Sequence, residues 1–409
     1  MRALPPRSPP RRTCYAIIAS FLLLVLATTV PLPAPLRAAR HTILNGGTGA
    51  VIGPYESPPA RTTRACGRDY GDLLTPAPAA ARVCEGGVLR ALARGSRRER
   101  DGPFDMGNCT VQWFTRDEAC DLLQRAGTLV IVGDSLQRHV AQALFSVLSG
   151  NVAHGSVLAH RLPRDAPHLL ELCSCERAYD DHAEHGGDRR CREASAAFLG
   201  APGVADAGPQ SFACPKWSRA HVEFIFAAGR PTPGEGDAPW TFTRAHLRAA
   251  LERAAAGSRA DGGGGDGVFV HFQVPALHVG LRAEDRADHD KYFLDPLFDE
   301  LDAPPAGLGR LRIACVGLTA RQQNAKPEHI ARQGNHWVVP HNAWLAEACA
   351  TRGRRSKINA VAGPWDPWPF TSNATSHDGA HYDTRVNVVL SQILLNAVAE
   401  ALQGGGPGG

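Results

Sequence analysis

The residues of this chain best suited to covalent chemistry are Ser135, Asp378 and His381. Ser135 stands in Gly133-Asp134-Ser135-Leu136, directly after a short apolar run and directly before a stretch with helical spacing. A serine hydroxyl is a weak nucleophile until a base takes its proton, and the base acts best when a third group orients it. Asp378 and His381 lie in Asp378-Gly379-Ala380-His381-Tyr382, a spacing that lets a carboxylate and an imidazole share one face of a turn. Asp378 could then hold His381 in the tautomer that accepts the Ser135 proton. The chemistry such a set supports is acyl transfer through an acyl-serine. A serine that opens a helix also has unpaired N–H groups and positive potential beside it, both suited to a tetrahedral oxyanion. Plainer readings exist for each motif taken alone: Ser135 as a helix cap, and Asp378 as a cap within a polar loop.

The surrounding pattern sets what must position these groups. Thr115 and Glu118 fit a capping box, Ala119, Leu122, Leu123 and Ala126 follow helical spacing, and Gly127 can end that helix. Residues 128–132 are apolar and rich in β-branched types between two glycines, as in a strand buried on both faces. Leu136, Val140, Ala143, Leu144, Val147 and Leu148 then mark one helix face, with Gly150 as its stop. Further strands are expected over 221–227, 267–274 and 311–317, and helices over 244–256, 341–351 and about 384–402. Strands alternating with helices imply an α/β protein with a central parallel sheet covered on both sides. The glycine run 262–265 precedes a strand instead of opening a helix, so it reads as a surface loop and not a phosphate cradle.

The N-terminal pattern bears on location. Arg2, Arg7, Arg11 and Arg12 precede an apolar run over 14–30. That run is expected to be an uncleaved signal anchor with a cytosolic tail over 1–13, the remainder lying in the lumen. A cleaved signal peptide, and hence a secreted protein, is the alternative. A Pro- and Ala-rich stem follows over 31–60, and then an N-terminal extension over 61–104. The body of the chain spans 105–403, with a cysteine-rich insertion over 160–215 and a Gly-rich tail over 404–409. Of 11 cysteines one, Cys14, falls in the apolar run, and the even remainder suits disulfides in an oxidising compartment. Asn108-Cys109-Thr110 and Asn373-Ala374-Thr375 are glycosylation acceptors, which suit the same compartment.

The two ends of the body together resemble a known family. "VIVGDSLQRHVAQAL" and "SHDGAHYDTRVNVVLSQILLNAV" are similar to the blocks of the PC-esterase group of SGNH/GDSL hydrolases, which includes the trichome-birefringence-like polysaccharide O-acetyltransferases. The resemblance covers roughly 105–403. It implies a flavodoxin-like three-layer sandwich, Ser135, His381 and Asp378 as triad, and a membrane-anchored Golgi enzyme acting on O-acetyl groups of glycans. No Gly-x-Asn-Asp block is present. The oxyanion or substrate candidates are therefore Gly133, Asp134, Arg138, Gln273, His278 and Gly280. Arg138 faces either the pocket or solvent.

The expected reaction is acetyl transfer to a hydroxyl of a polysaccharide or glycan, with no bound cofactor and with an acetyl donor, acetyl-CoA-derived, as cosubstrate. A single membrane span cannot carry acetyl-CoA across, so a donor transporter or an acetylated intermediate is an expected partner. An esterase using the same triad and a catalytically inactive glycan-binding protein are the alternatives. Trp365, Trp368 and Phe370 either stack on sugar or pack a loop. Cys173, Cys175, His182, His185 and Cys191 could be drawn as a zinc site, but in an oxidising lumen disulfides are the better use, and no metal is expected. A net charge of +4 with no basic stripe excludes a nucleic-acid surface.

Overall fold

The computed structural model describes residues 74, 82–84, 87–107, 109–150, 210–214, 216–217, 219–227, 238–260, 267–322, 325, 327–356, 358, 360–361, 365–376 and 378–403. The anchor, stem, tail, glycine run and most of the cysteine-rich insertion expected from the sequence lie outside these residues, as do Asn108 and the five residues of the zinc alternative.

Among the described residues the central sheet has six strands: β1 (Gly127–Gly133), β2 (Gln210–Ala213), β3 (His221–Phe226), β4 (Gly267–Phe272), β5 (Leu311–Cys315) and β6 (Ala360–Val361). Their order across the sheet is β6-β5-β4-β1-β3-β2. Every neighbouring pair is parallel except β2–β3, which is antiparallel. The sheet is thus mostly parallel and not wholly so. The antiparallel edge comes from the end of the segment read as a cysteine-rich insertion, where four residues add a strand beyond β3. Numbered by the parallel strands alone, the order is 2-1-3-4-5. In open sheets wound in both directions, ligand sites lie beyond the carboxyl ends of the strands where the winding reverses. Here that point falls between β1 and β4.

The helices that form the layers, among the described residues, are α1 (Val88–Arg94), α2 (Arg116–Ala126), α3 (Ser135–Ser149), α4 (Ala238–Ala260), α5 (Asp295–Asp302), α6 (Asn335–Arg355) and α7 (Thr384–Gln403). Side chains of a strand alternate between faces, and the core divides accordingly. Leu129 and Ile131 of β1 pack with α1, α2, α3 and α7, whereas Val130 and Val132 pack with α4, α5 and α6. A strand covered on both sides must be apolar at every position, which is why β1 reads as a continuous hydrophobic run. The result is an α/β/α arrangement of three layers. α1 shows that part of the expected extension over 61–104 belongs to the core, since Val88, Leu89 and Leu92 are buried beside α7 residues.

The capping box at the start of α2 has both halves: the Glu118 N–H bonds the Thr115 hydroxyl, and the Thr115 N–H bonds the Glu118 carboxylate. α2 ends at Gly127, whose φ of 87° lets the chain turn straight into β1. α7 is long and apolar enough to cross a membrane, yet 72% of its apolar window is buried inside the fold. It is a core helix packed against α3.

Three disulfides join the described residues: Cys84–Cys109, Cys120–Cys214 and Cys315–Cys349. The second ties α2 to the end of β2, and the third ties β5 to α6. Three structural disulfides belong to a protein folded in an oxidising secretory or extracellular environment.

Candidate active site

The strand β1 delivers Ser135 to the switch point of the sheet. Gly133 ends that strand where a Cβ would stand 2.6 Å from Gln137 Cγ and 3.3 Å from Gln273 Cβ, so a larger residue would push α3 away from the strand ends. Asp134 is the N-cap of α3, and not Ser135. Its Oδ1 accepts the Leu136 N–H at 2.9 Å, and its main-chain oxygen accepts the Arg138 N–H at 3.0 Å. That leaves the Ser135 hydroxyl unused by capping. Ser135 is the first residue of the helix and is half-buried, whereas Asp134 is fully buried.

The turn before α7 is built by its own side chains. Asp378 Oδ1 accepts the N–H groups of Ala380 and His381, both at 2.8 Å. Ser376 Oγ accepts the Gly379 N–H at 2.9 Å and donates to His381 O at 2.7 Å. Gly379 has a φ of 88° and packs against the main chain of Ala325, where no Cβ fits. Gln322 N–H donates to Gly379 O at 3.0 Å, and Asn387 Nδ2 holds Tyr382 O at 2.8 Å from within α7. The Tyr382 hydroxyl donates to Ala320 O at 2.5 Å. Burial raises this phenol well above its ordinary value, which keeps it a proton donor.

These two local devices meet. His381 Nε2 lies 2.7 Å from Ser135 Oγ, and His381 Nδ1 lies 2.6 Å from Asp378 Oδ2. An ionised carboxylate only accepts, so Nδ1 carries the ring proton and Nε2 presents its lone pair to the serine hydroxyl. This arrangement can take the serine proton during attack on a carbonyl and return it to a leaving group. As the first residue of α3, Ser135 has an N–H with no partner inside the helix. It can donate to the carbonyl-derived oxyanion of a tetrahedral intermediate bonded to Oγ.

The other candidates are placed differently. Gln273 is fully buried, and its Nε2 donates to Gly317 O at 2.9 Å, so it braces the ends of β4 and β5. The Gly280 N–H donates to Ala276 O at 2.9 Å, and its own oxygen accepts from His289 Nε2 at 2.8 Å. The Gly280 N–H is thus already used within its own turn. The side chain of Asp134, as a carboxylate, offers only acceptors. Arg138 is half-buried on α3, and His278 lies in the short helix Ala276–Val279. Asn373 has a φ of 64°, and the Thr375 hydroxyl of its acceptor triplet bonds the Asp101 carboxylate.

Several residues that the sequence reading passed over belong to this neighbourhood. The His139 ring lies 5.0 Å from that of His381, tilted by 36° to it. His381 and Tyr382 line a small cavity whose walls also include Leu136, Val140, His271, Trp365 and Leu390. Burial pushes His271 down to about 3, so it is neutral, and its Nε2 bonds Gln137 Oε1 at 2.8 Å. Trp365 meets His271 edge-on at 4.6 Å and Phe370 meets Phe104 at 5.3 Å, both as buried packing, while Trp368 stays half-buried. Arg321 is buried in the loop after β5, where its neighbours Ala320 and Gln322 bond the His381 turn. Among the described residues there is no group of three or more His, Cys, Asp or Glu able to hold a metal.

Fold and site together define a doubly wound α/β protein that carries a serine–histidine–aspartate array at the switch point of its sheet. Comparisons with protein-family models, with curated proteins and with solved structures found no match to this chain.

Proposed function

We propose that this chain is an acyltransferase that moves an acetyl group to hydroxyls of a polysaccharide or glycan through an acyl-serine on Ser135. The observation that carries this reading is the unbroken contact Ser135 Oγ–His381 Nε2–His381 Nδ1–Asp378 Oδ2, at 2.7 and 2.6 Å. In the reaction, Ser135 Oγ attacks the acyl carbonyl while His381 takes its proton, and Asp378 steadies the imidazolium. The oxyanion faces the Ser135 N–H and the positive end of α3. The donor leaves with the proton, and a sugar hydroxyl, deprotonated by His381, then attacks the acyl-serine; the bond between the acyl carbon and Oγ breaks, and His381 returns the proton to Ser135.

The 2-1-3-4-5 order of the parallel strands and the positions of the two motifs support membership of the flavodoxin-like SGNH group, within its PC-esterase branch. The disulfides support a lumenal domain, and the basic residues before the apolar run over 14–30 support a single-pass type II protein of the Golgi. The acetyl donor then has to be supplied on the lumenal side, through a transporter or an acetylated intermediate.

The test is to incubate the purified protein with an acetyl ester donor and deacetylated polysaccharides, following polymer-bound acetyl and free acetate together. Polymer-bound acetyl that depends on Ser135 is the expected result. Release of acetate alone, with good acceptors in the panel, makes the protein an esterase. No turnover, and no labelling of Ser135 by a fluorophosphonate, makes it a binding protein.

A further inference from the structure

Helix α3 carries Ser135 as its first residue, and His139 follows four residues later. Residues four apart share one face of a helix, one turn from each other. His139 is 6% exposed. Its ring centroid lies 5.0 Å from that of His381, with the two planes 36° apart. One face of α3 therefore meets His381 twice. The Ser135 hydroxyl lies 2.7 Å from His381 Nε2, and the His139 ring packs beside the imidazole. His381 itself arrives from the turn before α7, and α7 packs against α3.

Asp378 Oδ2 fixes one edge of the His381 ring, at Nδ1, 2.6 Å away. The other edge, at Nε2, is the reacting one, and its contact changes as the proton moves. The torsion that turns an imidazole about its Cβ–Cγ bond has a broad well. The His381 side chain is 22% exposed, so part of the ring lies against water, which does not hold it. A flat side chain packed beside the ring narrows that well, because rotation drives one ring into the other. His139, His381, Leu136 and Val140 all line the small cavity, whose volume is about 10 Å³. That is about the room of one water molecule. Truncation of His139 would add the space of its ring to this cavity and give the imidazole room to swing.

We propose that His139 is a positioning residue: its ring packs beside His381 and keeps Nε2 aimed at Ser135. The nucleophile and this ring belong to the same helix, so the base is registered against α3 itself as well as against its own turn. Groups held on a regular element by packing keep their geometry more closely than groups held by a loop alone. The flat shape of the His139 ring carries the role, not proton transfer by its nitrogens. A misplacement of about 1 Å at a reacting group costs about 10²-fold in rate, which sets the scale of what such a restraint supplies. The inference rests on reading Ser135 as a nucleophile.

The test is the rate of fluorophosphonate labelling at Ser135 in the full-length protein and in its His139→Phe and His139→Leu variants. Phenylalanine keeps a flat ring and leucine does not, and neither titrates. His139→Leu should label about 10- to 100-fold more slowly at an unchanged half-saturating probe concentration, and His139→Phe should stay within about threefold of wild type. The low-field proton resonance of His381 Nδ1–H, identified by its loss in His381→Ala, should broaden in the leucine variant and stay sharp in the phenylalanine variant. His139→Gln replaces His139→Leu should the latter lack the near-UV circular dichroism of the folded protein. Equal slowing of both variants means that the flat ring is not what matters, and overturns the proposal. Wild-type labelling in His139→Leu overturns it too, as does slowing with an unbroadened His381 resonance. Wild-type Ser135 that never labels removes this inference and the functional reading together. Labelling with the predicted pattern, but without acetyl transfer or ester hydrolysis, removes the functional reading alone.

Discussion

The Nε2 of His381 stands 2.7 Å from the Oγ of Ser135 across 246 residues of chain. Neither motif makes that contact by itself. It exists because β1 ends at the switch point of the sheet and because α7 packs on α3, which carries the preceding turn to the same place. Substitutions that break the array should therefore differ in effect from those that shift the elements holding it.

Ser135→Ala should abolish fluorophosphonate labelling and lower acetyl-ester turnover by about 10⁴-fold or more, with melting temperature nearly unchanged. Asp378→Asn should cost about 10⁴-fold, because the amide favours the wrong tautomer of the imidazole. Steady-state rates beside thermal melts check both. A Ser135→Ala variant retaining wild-type turnover would remove the serine from the mechanism.

Gly379→Ala tests the turn. A β-carbon there would meet the main chain of Ala325 at a φ of 88°, so the Asp378–His381 turn must shift. A displacement of about 1 Å in a catalytic group lowers rate by about 10²-fold. Labelling of Ser135 should slow by that order while the far-ultraviolet circular dichroism stays native.

Stability should fall on the acid side. Burial holds His271 and His341 at about 3 and lowers His289, whereas their ordinary value is 6.5. The unfolded chain therefore binds protons that the folded chain does not, and stability declines as pH drops through about 6.5 and on toward 3. Each histidine contributes a slope of up to about 1.4 kcal/mol per pH unit. Urea midpoints at pH 7.5, 6 and 5 measure this, and His341→Leu should flatten the curve. His341 and His289 face each other at 5.1 Å, so their contributions will not add independently.

Loss of the Cys120–Cys214 disulfide, through alanine at both positions, should lower stability by about 4–5 kcal/mol. The two cysteines are 94 residues apart, and closing so long a loop restricts the unfolded chain strongly. Thermal melts of the variant, and of the wild type with and without reductant, give the size. A variant as stable as wild type would mean that residual structure already restricts that loop in the unfolded chain.

Local signals were legible from the sequence because their physics is local. The Thr115–Glu118 capping box, the strand over 128–132 and the helix that follows each depend on spacing within one turn or one strand. So does the Asp378–His381 pair, whose carboxylate bonds the main chain and ring of its own turn. The pairing of Ser135 with His381 was suggested by the two motifs together, but its distance comes from sheet order and helix packing. Other features could be decided only by tertiary structure. Residues 210–213 form a strand because β3 offers an open edge, not because of any strong pattern of their own. α1 is a core helix because α7 covers its apolar side. The cap of α3 falls on Asp134, freeing Ser135, because the turn out of β1 buries that carboxylate. Arg321 gains its place only when the loop after β5 is tied to Gly379 and Tyr382. In each case the free energy comes from contacts between segments far apart in the chain, and a linear sequence does not display those contacts.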